Sequence, residues 1–252
     1  MSTPTVYLVS GANRGLGLGL VKVLLERPNT IVFAGARDPD SAKALKALAA
    51  ANPNKLHIVK LLVSANKDNN AAAAEEIGRV AGRLDVVIAN AGISNCFEGG
   101  LTMPAEDMTR HFDINVNGPL LLFQATHDLL EKSSDPKFVA ISSVVGSIAA
   151  GGTNFDGGFY AYGASKAALN WVVRKLHHDF ENFVIFPVNP GALDTDMATV
   201  TVANEPWLQN ALPQLSKPED NARKCLVQID KATRETVGGK FLDVEENTIL
   251  PW

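Results

Sequence analysis

The chain has 252 residues, 46% of them hydrophobic, which is enough for one domain with a substantial core. A formal net charge of −4 leaves no basic footprint for nucleic acid, and no apolar run approaches the roughly 18 residues that a membrane-crossing helix needs. Two cysteines, Cys96 and Cys225, are too few for a disulfide framework. Together with the absence of a basic-then-apolar leader in Met1-Ser2-Thr3-Pro4, this sets the expectation of a cytoplasmic protein without a membrane partner.

The predicted elements alternate. Thr5 to Ser10 is a β-rich run that meets a glycine cluster, Gly11-Ala12-Asn13-Arg14-Gly15-Leu16-Gly17, and apolar residues at helical spacing follow as far as Pro28. Ile31 to Ala36 is a second strand, Asp40 to Ala51 a helix, Lys55 to Val63 a third strand and Asp68 to Gly82 a helix. Leu84 to Asn90 is a fourth strand. A long helical pattern runs from Pro104 to Glu131, and Phe138 to Ser143 is a fifth strand. A helix carrying Tyr162 runs to Glu181 and is followed by a sixth strand, Phe183 to Val188. Lys217 to Thr233 reads as a last helix, with Ser216 as its candidate cap, before a final strand at Gly239 to Val244.

Strands that are apolar on both faces and alternate with helices belong to a parallel sheet covered on two sides. The expected fold is α/β: a single doubly wound Rossmann-fold domain over residues 1–252, with about seven parallel strands and helices on both faces. Two long glycine-bearing stretches, 146–158 and a substrate loop at 191–216, are longer than ordinary connections and suggest binding or lid roles.

Three features carry chemistry. The glycine cluster sits where the first strand gives way to a helix, a place suited to a pyrophosphate. The second strand ends at Ala36 and Arg37, where an NAD site usually has a carboxylate. With Arg14 inside the glycine turn, two arginines favour an extra ribose phosphate and hence NADP(H), against which Asp38 stands one place too late. Tyr162 and Lys166, four residues apart, share a helix face, and a neighbouring ammonium should lower the tyrosine's proton affinity. His57, His111, His127, His177 and His178 show no ligand spacing, so no metal is expected.

These motifs come in a telling order: Ser10 to Gly17, Asn90-Ala91-Gly92, Asn115, Ser143, Tyr162-x-x-x-Lys166 and Asn189-Pro190-Gly191. In this the chain resembles the short-chain dehydrogenase/reductase family over nearly its whole length. More finely, through Ile141 to Ile148, Tyr160 to Asn170 and the ending Gly239 to Trp252, it resembles the fungal norsolorinic acid ketoreductase-like branch, related to sniffer-type carbonyl reductases.

The resemblance implies Tyr162 as general acid, Lys166 on the nicotinamide ribose, Ser143 as a donor to the substrate oxygen, and Asn115 as the residue that distorts the long helix and completes a proton relay. It implies cofactor contacts from Gly11, Asn13, Arg14, Gly15, Leu16, Gly17, Arg37, Asn90, Gly92, Pro190, Gly191, Leu193 and Thr195. Many members carry an adenine-contacting Asp where this chain has Leu62, so that contact either comes from the backbone near Val63 or is lost.

Ser142 competes with Ser143, Tyr160 with Tyr162, and Asn117 with Asn115. The family register selects Ser143 and Asn115, and the residue four after Tyr160 is Ala164, which cannot supply a cation. Ile93, Phe97, Thr153, Phe155, Phe159, Met197 and Trp207 are candidate walls for a hydrophobic or aromatic carbonyl or alcohol substrate. The expected activity is reduction of a ketone or aldehyde, with a redox-coupled dehydratase or epimerase and a non-catalytic NADP(H)-sensing protein as alternatives. By analogy the chain should form a homodimer or homotetramer through the helices at 104–131 and 159–181.

Overall fold

A computed structural model describes residues 3–61, 67–151 and 157–252, with backbone alone at 67–69 and 211–214. Leu62, Val63, Thr153 and Phe155 lie outside the described residues.

The strands are β1 (Thr5–Val9), β2 (Thr30–Ala36), β3 (Leu56–Lys60), β4 (Val86–Ala89), β5 (Lys137–Ile141), β6 (Val184–Asn189), β7 (Phe241–Asp243) and β8 (Thr248–Leu250). The α-helices are α1 (Gly15–Glu26), α2 (Lys43–Ala51), α3 (Lys67–Ala81), α4 (Ala105–Phe112), α5 (Gly118–Leu130), α6 (Tyr160–Asp179), α7 (Asp196–Asn204) and α8 (Pro218–Lys231). The sheet order is β3-β2-β1-β4-β5-β6-β7-β8. The first seven strands run parallel as expected, and β8 adds an antiparallel edge through a hairpin from β7.

Period-two alternation divides each central strand between two cores. On one face Val9, Val32, Ile88, Val139 and Phe186 meet Leu20 and Leu24 of α1, Leu45 of α2 and Leu226 and Ile229 of α8. On the other, Leu8, Phe33, Val87, Phe138 and Ile185 meet Ile77 of α3, Phe123 of α5, and Leu169 and Val173 of α6. Such side chains contribute about 1.5–3 kcal/mol each when fully buried, so the two cores fix the strand register that positions the loops above them.

One expectation is corrected, and a second feature, the interruption of the helical pattern at Asn115, takes a definite form. Ser216 does not cap α8: the cap position is Lys217, without a side-chain cap, and the Ser216 hydroxyl donates to Glu245 Oε1 instead (3.4 Å). The long helix is not continuous α-helix. A π-helical turn at Asp113–Asn117 separates α4 from α5 and turns Asn115 fully inward.

Candidate active site

The strand order reverses beside β1, where the chain leaves β3 and returns to β4. In doubly wound sheets the crevice at the carboxyl ends of such strands is where ligands bind. Gly11 to Gly17 and Asn90 to Gly92 form its two lips. Gly11 has φ +61°, and a Cβ there would lie 2.8 Å from Ala91 Cα. A Cβ on Gly17 would strike the Gly11 carbonyl and lie 2.6 Å from Asn90 Nδ2. The turn is therefore closed tightly under the N-terminus of α1, whose first N–H groups have no intrahelical acceptors. This cradle fits a dinucleotide pyrophosphate.

The Asn90 side chain is committed to that cradle, donating to Ser10 O (2.9 Å) and Gly11 O (3.2 Å). Asn13, Arg14 and Arg37 are exposed, and Leu16 is buried. Arg14 pairs with Asp196 at 3.2 Å across the mouth of the crevice. Asp38 belongs to the turn after β2, where its Oδ1 accepts from Asp40 N (3.2 Å), so the strand ends at Ala36 with Arg37 open to solvent.

On the far side, β5 and α6 bring the polar residues together. Lys166 is 4% exposed, and its ammonium donates to Ile141 O (2.7 Å) and lies 5.7 Å from the centre of the Tyr162 ring. Ser143 stands at the crevice edge, its Oγ accepting from Val145 N (3.3 Å), and its side chain bears on the Tyr162 hydroxyl. Burial pushes the Tyr162 phenol above its ordinary value, and the Ser143 side chain works against that rise. The net direction is the reverse of the lowering expected from Lys166, which burial itself depresses to about 8 and whose ammonium donates to a backbone carbonyl.

The competing residues separate clearly. The Ser142 hydroxyl is buried and donates to Asn170 Oδ1 (2.6 Å), away from the crevice, whereas Ser143 is half-buried at its edge. Tyr160 is 53% exposed. Asn117 bonds to Asp113 on its own helix. Asn115 is pinned to the loop after β4, with Nδ2 donating to Ile93 O (2.9 Å) and Oδ1 accepting from Ile93 N (2.8 Å). It also donates to Ser165 Oγ (2.9 Å), and Gly92 lies beside both it and Lys166.

The 191–216 stretch is more ordered than its sequence suggests. Gly191 has φ +82°, Leu193 bridges to Ser216, and the segment between carries α7 and a 3-10 stretch, Pro206–Gln214. Thr195 caps α7 by accepting from Ala198 N (3.3 Å), and its methyl group faces Gly15 across the crevice. The carbonyl of Pro190 accepts from Asn221 of α8. Phe97, Phe159 and Trp207 form an edge-to-face row with centroid separations of 6.2 and 6.4 Å, while Met197 is exposed on α7.

Away from the crevice, His127, Asp128 and Glu131 at the end of α5 bring three ligand-type atoms within 4.8 Å of one another, a proximity the histidine spacing did not suggest. Two of the three are exposed carboxylates on a helix surface.

Residues 5–206 match the profile of the short chain dehydrogenases. The chain belongs to this family. It is 41% identical over 254 residues to the short chain dehydrogenase gsfK of Penicillium aethiopicum, covering 99% of this chain and 100% of that protein. It is 36% identical over 255 residues to the norsolorinic acid ketoreductase of Aspergillus parasiticus, covering 98% and 91%. The crystal structure of NADPH-bound carbonyl reductase from chicken fatty liver superposes with a TM-score of 0.86 at 29% identity, covering 100% of both chains. The resemblance to ketoreductases and carbonyl reductases read from the motifs is thus borne out, and the protein is an oxidoreductase of the short-chain dehydrogenase family.

Sequence reasoning missed three residues of the site. The Ile141 carbonyl acts through backbone, which carries no side-chain signal. Asp196 was readable only as the first acidic residue after a Thr cap. Glu205 is a buried carboxylate in a stretch that reads as surface loop.

Proposed function

We propose that the protein reduces a hydrophobic or aromatic ketone or aldehyde to an alcohol at the expense of NADPH. The observation that carries this reading is the buried Lys166 5.7 Å from the centre of the Tyr162 ring, with Ser143 across the crevice edge and a dinucleotide cradle beside them. Gly11, Gly15, Leu16 and Gly17 would hold the pyrophosphate, with Asn13 and Gly92 beside it. Pro190, Gly191, Leu193 and Thr195 would border the nicotinamide. Arg14 and Arg37 would take the 2′-phosphate, a reading supported by the absence of a carboxylate at Ala36 and by the NADPH-bound state of the chicken enzyme. When bound, NADPH supplies the hydride.

The chain's own residues handle the proton. The phenol stays protonated at neutral pH, as a general acid for the forming alkoxide must, although its raised proton affinity makes it a weaker donor than an ordinary phenol. Ser143 can donate to the same oxygen, and Lys166, depressed to about 8, can exchange its own proton closer to neutral pH than an ordinary lysine. Asn115 fixes the Ile93 loop against α6 and so holds the lysine's surroundings. A homodimer or homotetramer joined through the α4, α5 and α6 faces in a cytoplasmic setting completes the reading, supported by exposed Phe112 and Trp171.

Substitution of the acid tests it. Tyr162→Phe should keep NADPH affinity within about threefold while carbonyl reduction falls by about 10²–10⁴-fold. An unchanged turnover number would overturn the assignment.

A further inference from the structure

Glu205 ends α7 and is 5% exposed, although it lies between exposed Asn204 and Pro206. A carboxylate loses its hydration when buried and persists only where donors replace the water. Both of its oxygens have such donors. Oε1 accepts from the backbone N–H of Gly158, and Oε2 accepts from the indole N–H of Trp207 at 2.9 Å. Gly158 immediately precedes Phe159, the N-cap residue of α6, and a Cβ on Gly158 would collide with the Phe97 backbone. A single side chain therefore joins the far end of the 191–216 segment to the start of the helix that carries Tyr162 and Lys166. The near end of that segment is held separately, by the Leu193–Ser216 bridge and by Ser216 and Asn221 donating to Glu245.

What Glu205 holds is an aromatic wall. Phe97 and Phe159 meet at an interplanar angle of 81°, and Phe159 and Trp207 at 87°. Trp207 is 38% exposed, and its bond to Glu205 ties the indole N–H edge to the carboxylate. A row of three aromatic side chains set edge to face is longer than a small aliphatic ligand can cover, whereas a ligand of two or more rings can contact more than one of them.

We propose that Glu205 is a positioning residue that sets substrate selectivity, holding Trp207 and the Gly158–Phe159 turn so that the site prefers large aromatic carbonyl compounds over small aliphatic ones. The inference rests on the carbonyl-reductase reading. The bonds to Gly158 and Trp207 act through the wall and not on the reacting atoms, so their loss shows in KM for ligands large enough to reach it.

The test compares wild type with Glu205→Ala and Trp207→Phe, the latter keeping an aromatic ring but losing the N–H. Each is assayed with NADPH on a two-ring aromatic ketone and on a short aliphatic aldehyde. Glu205→Ala should raise KM for the two-ring ketone about tenfold, with kcat changing less than about threefold, and should move KM for the aldehyde less than about twofold. Trp207→Phe should show the same split more weakly, which keeps the idea testable if Glu205→Ala does not fold. Equal changes for both substrates, or none, would overturn the proposal. Hydrogen exchange without substrate gives an independent readout: the Gly158 amide should exchange faster in Glu205→Ala, and unchanged protection would also overturn it. A wild-type enzyme inert toward every carbonyl would instead sink the reductase reading, and the selectivity with it, while the exchange measurement still decides whether Glu205 holds the loop.

Discussion

At the scale of single residues, the lysine and the arginines carry the clearest expectations. Lys166 has a folded-state value of about 8 against an ordinary 10.5, and burial is the cause. Between those values the unfolded chain binds more protons than the folded one, so this group makes stability rise with pH across that window. Lys166→Met should remove that rise. In cofactor-free urea unfolding, the stability of wild type minus that of the variant should climb by up to about 3 kcal/mol between pH 8 and 10.5, and parallel curves would refute a buried ammonium. Tyr162, raised by burial, should keep carbonyl reduction level through neutral pH and let it fall only on the alkaline side, as a rate profile would show. Arg14→Ala combined with Arg37→Ala should raise KM for NADPH by about 10²–10⁴-fold and leave KM for NADH nearly unchanged, because each of the two charge-assisted contacts to a phosphate contributes about 1.5–3 kcal/mol. The type and spacing of these residues were legible in the sequence because their side chains carry the chemistry. The direction of the Tyr162 shift was not, because spacing on a helix places Lys166 on the same face without saying that its ammonium turns to Ile141 O.

At the scale of elements, the glycine turn was legible and the substrate loop was not. Gly11 and Gly17 stand where any side chain meets backbone, so their positions in the sequence already described the turn. Gly17→Ala should cost about 1–3 kcal/mol in urea unfolding through overpacking against Gly11 and Asn90, and should weaken NADPH binding with it. A variant as stable as wild type would show that the turn can relax. α7 went unseen because Asp196–Asn204 is rich in Thr and Val, which have low helix propensity; its start depends on the Thr195 cap, and its end on a buried Glu205 that only tertiary structure reveals. The π-helical turn at Asn115 likewise leaves no periodicity signal, since one extra residue per turn only shifts the phase of an otherwise regular pattern.

At the scale of the whole molecule, alternating apolar strands and helices made the doubly wound sheet readable, because seven parallel strands must be apolar on both faces. The eighth strand was not readable: Thr248–Leu250 is three residues long, largely exposed, and reached through a hairpin in which Asn247 takes φ +52°. Exposed Phe112 on α4 and Trp171 on α6 predict self-association, so sedimentation should give two or four times the 26.9 kDa chain mass and Trp171→Glu should lower it. A monomer at all concentrations would remove that part of the reading. The claim on which the account rests is net carbonyl reduction within this crevice, and deuterium tracing tests it most directly. With NADPH deuterated at the transferable position and a two-ring aromatic ketone, the alcohol product should carry one deuterium on its carbinol carbon. Product formed without deuterium, or cofactor bound and never consumed across a panel of aromatic and aliphatic carbonyls, would contradict it.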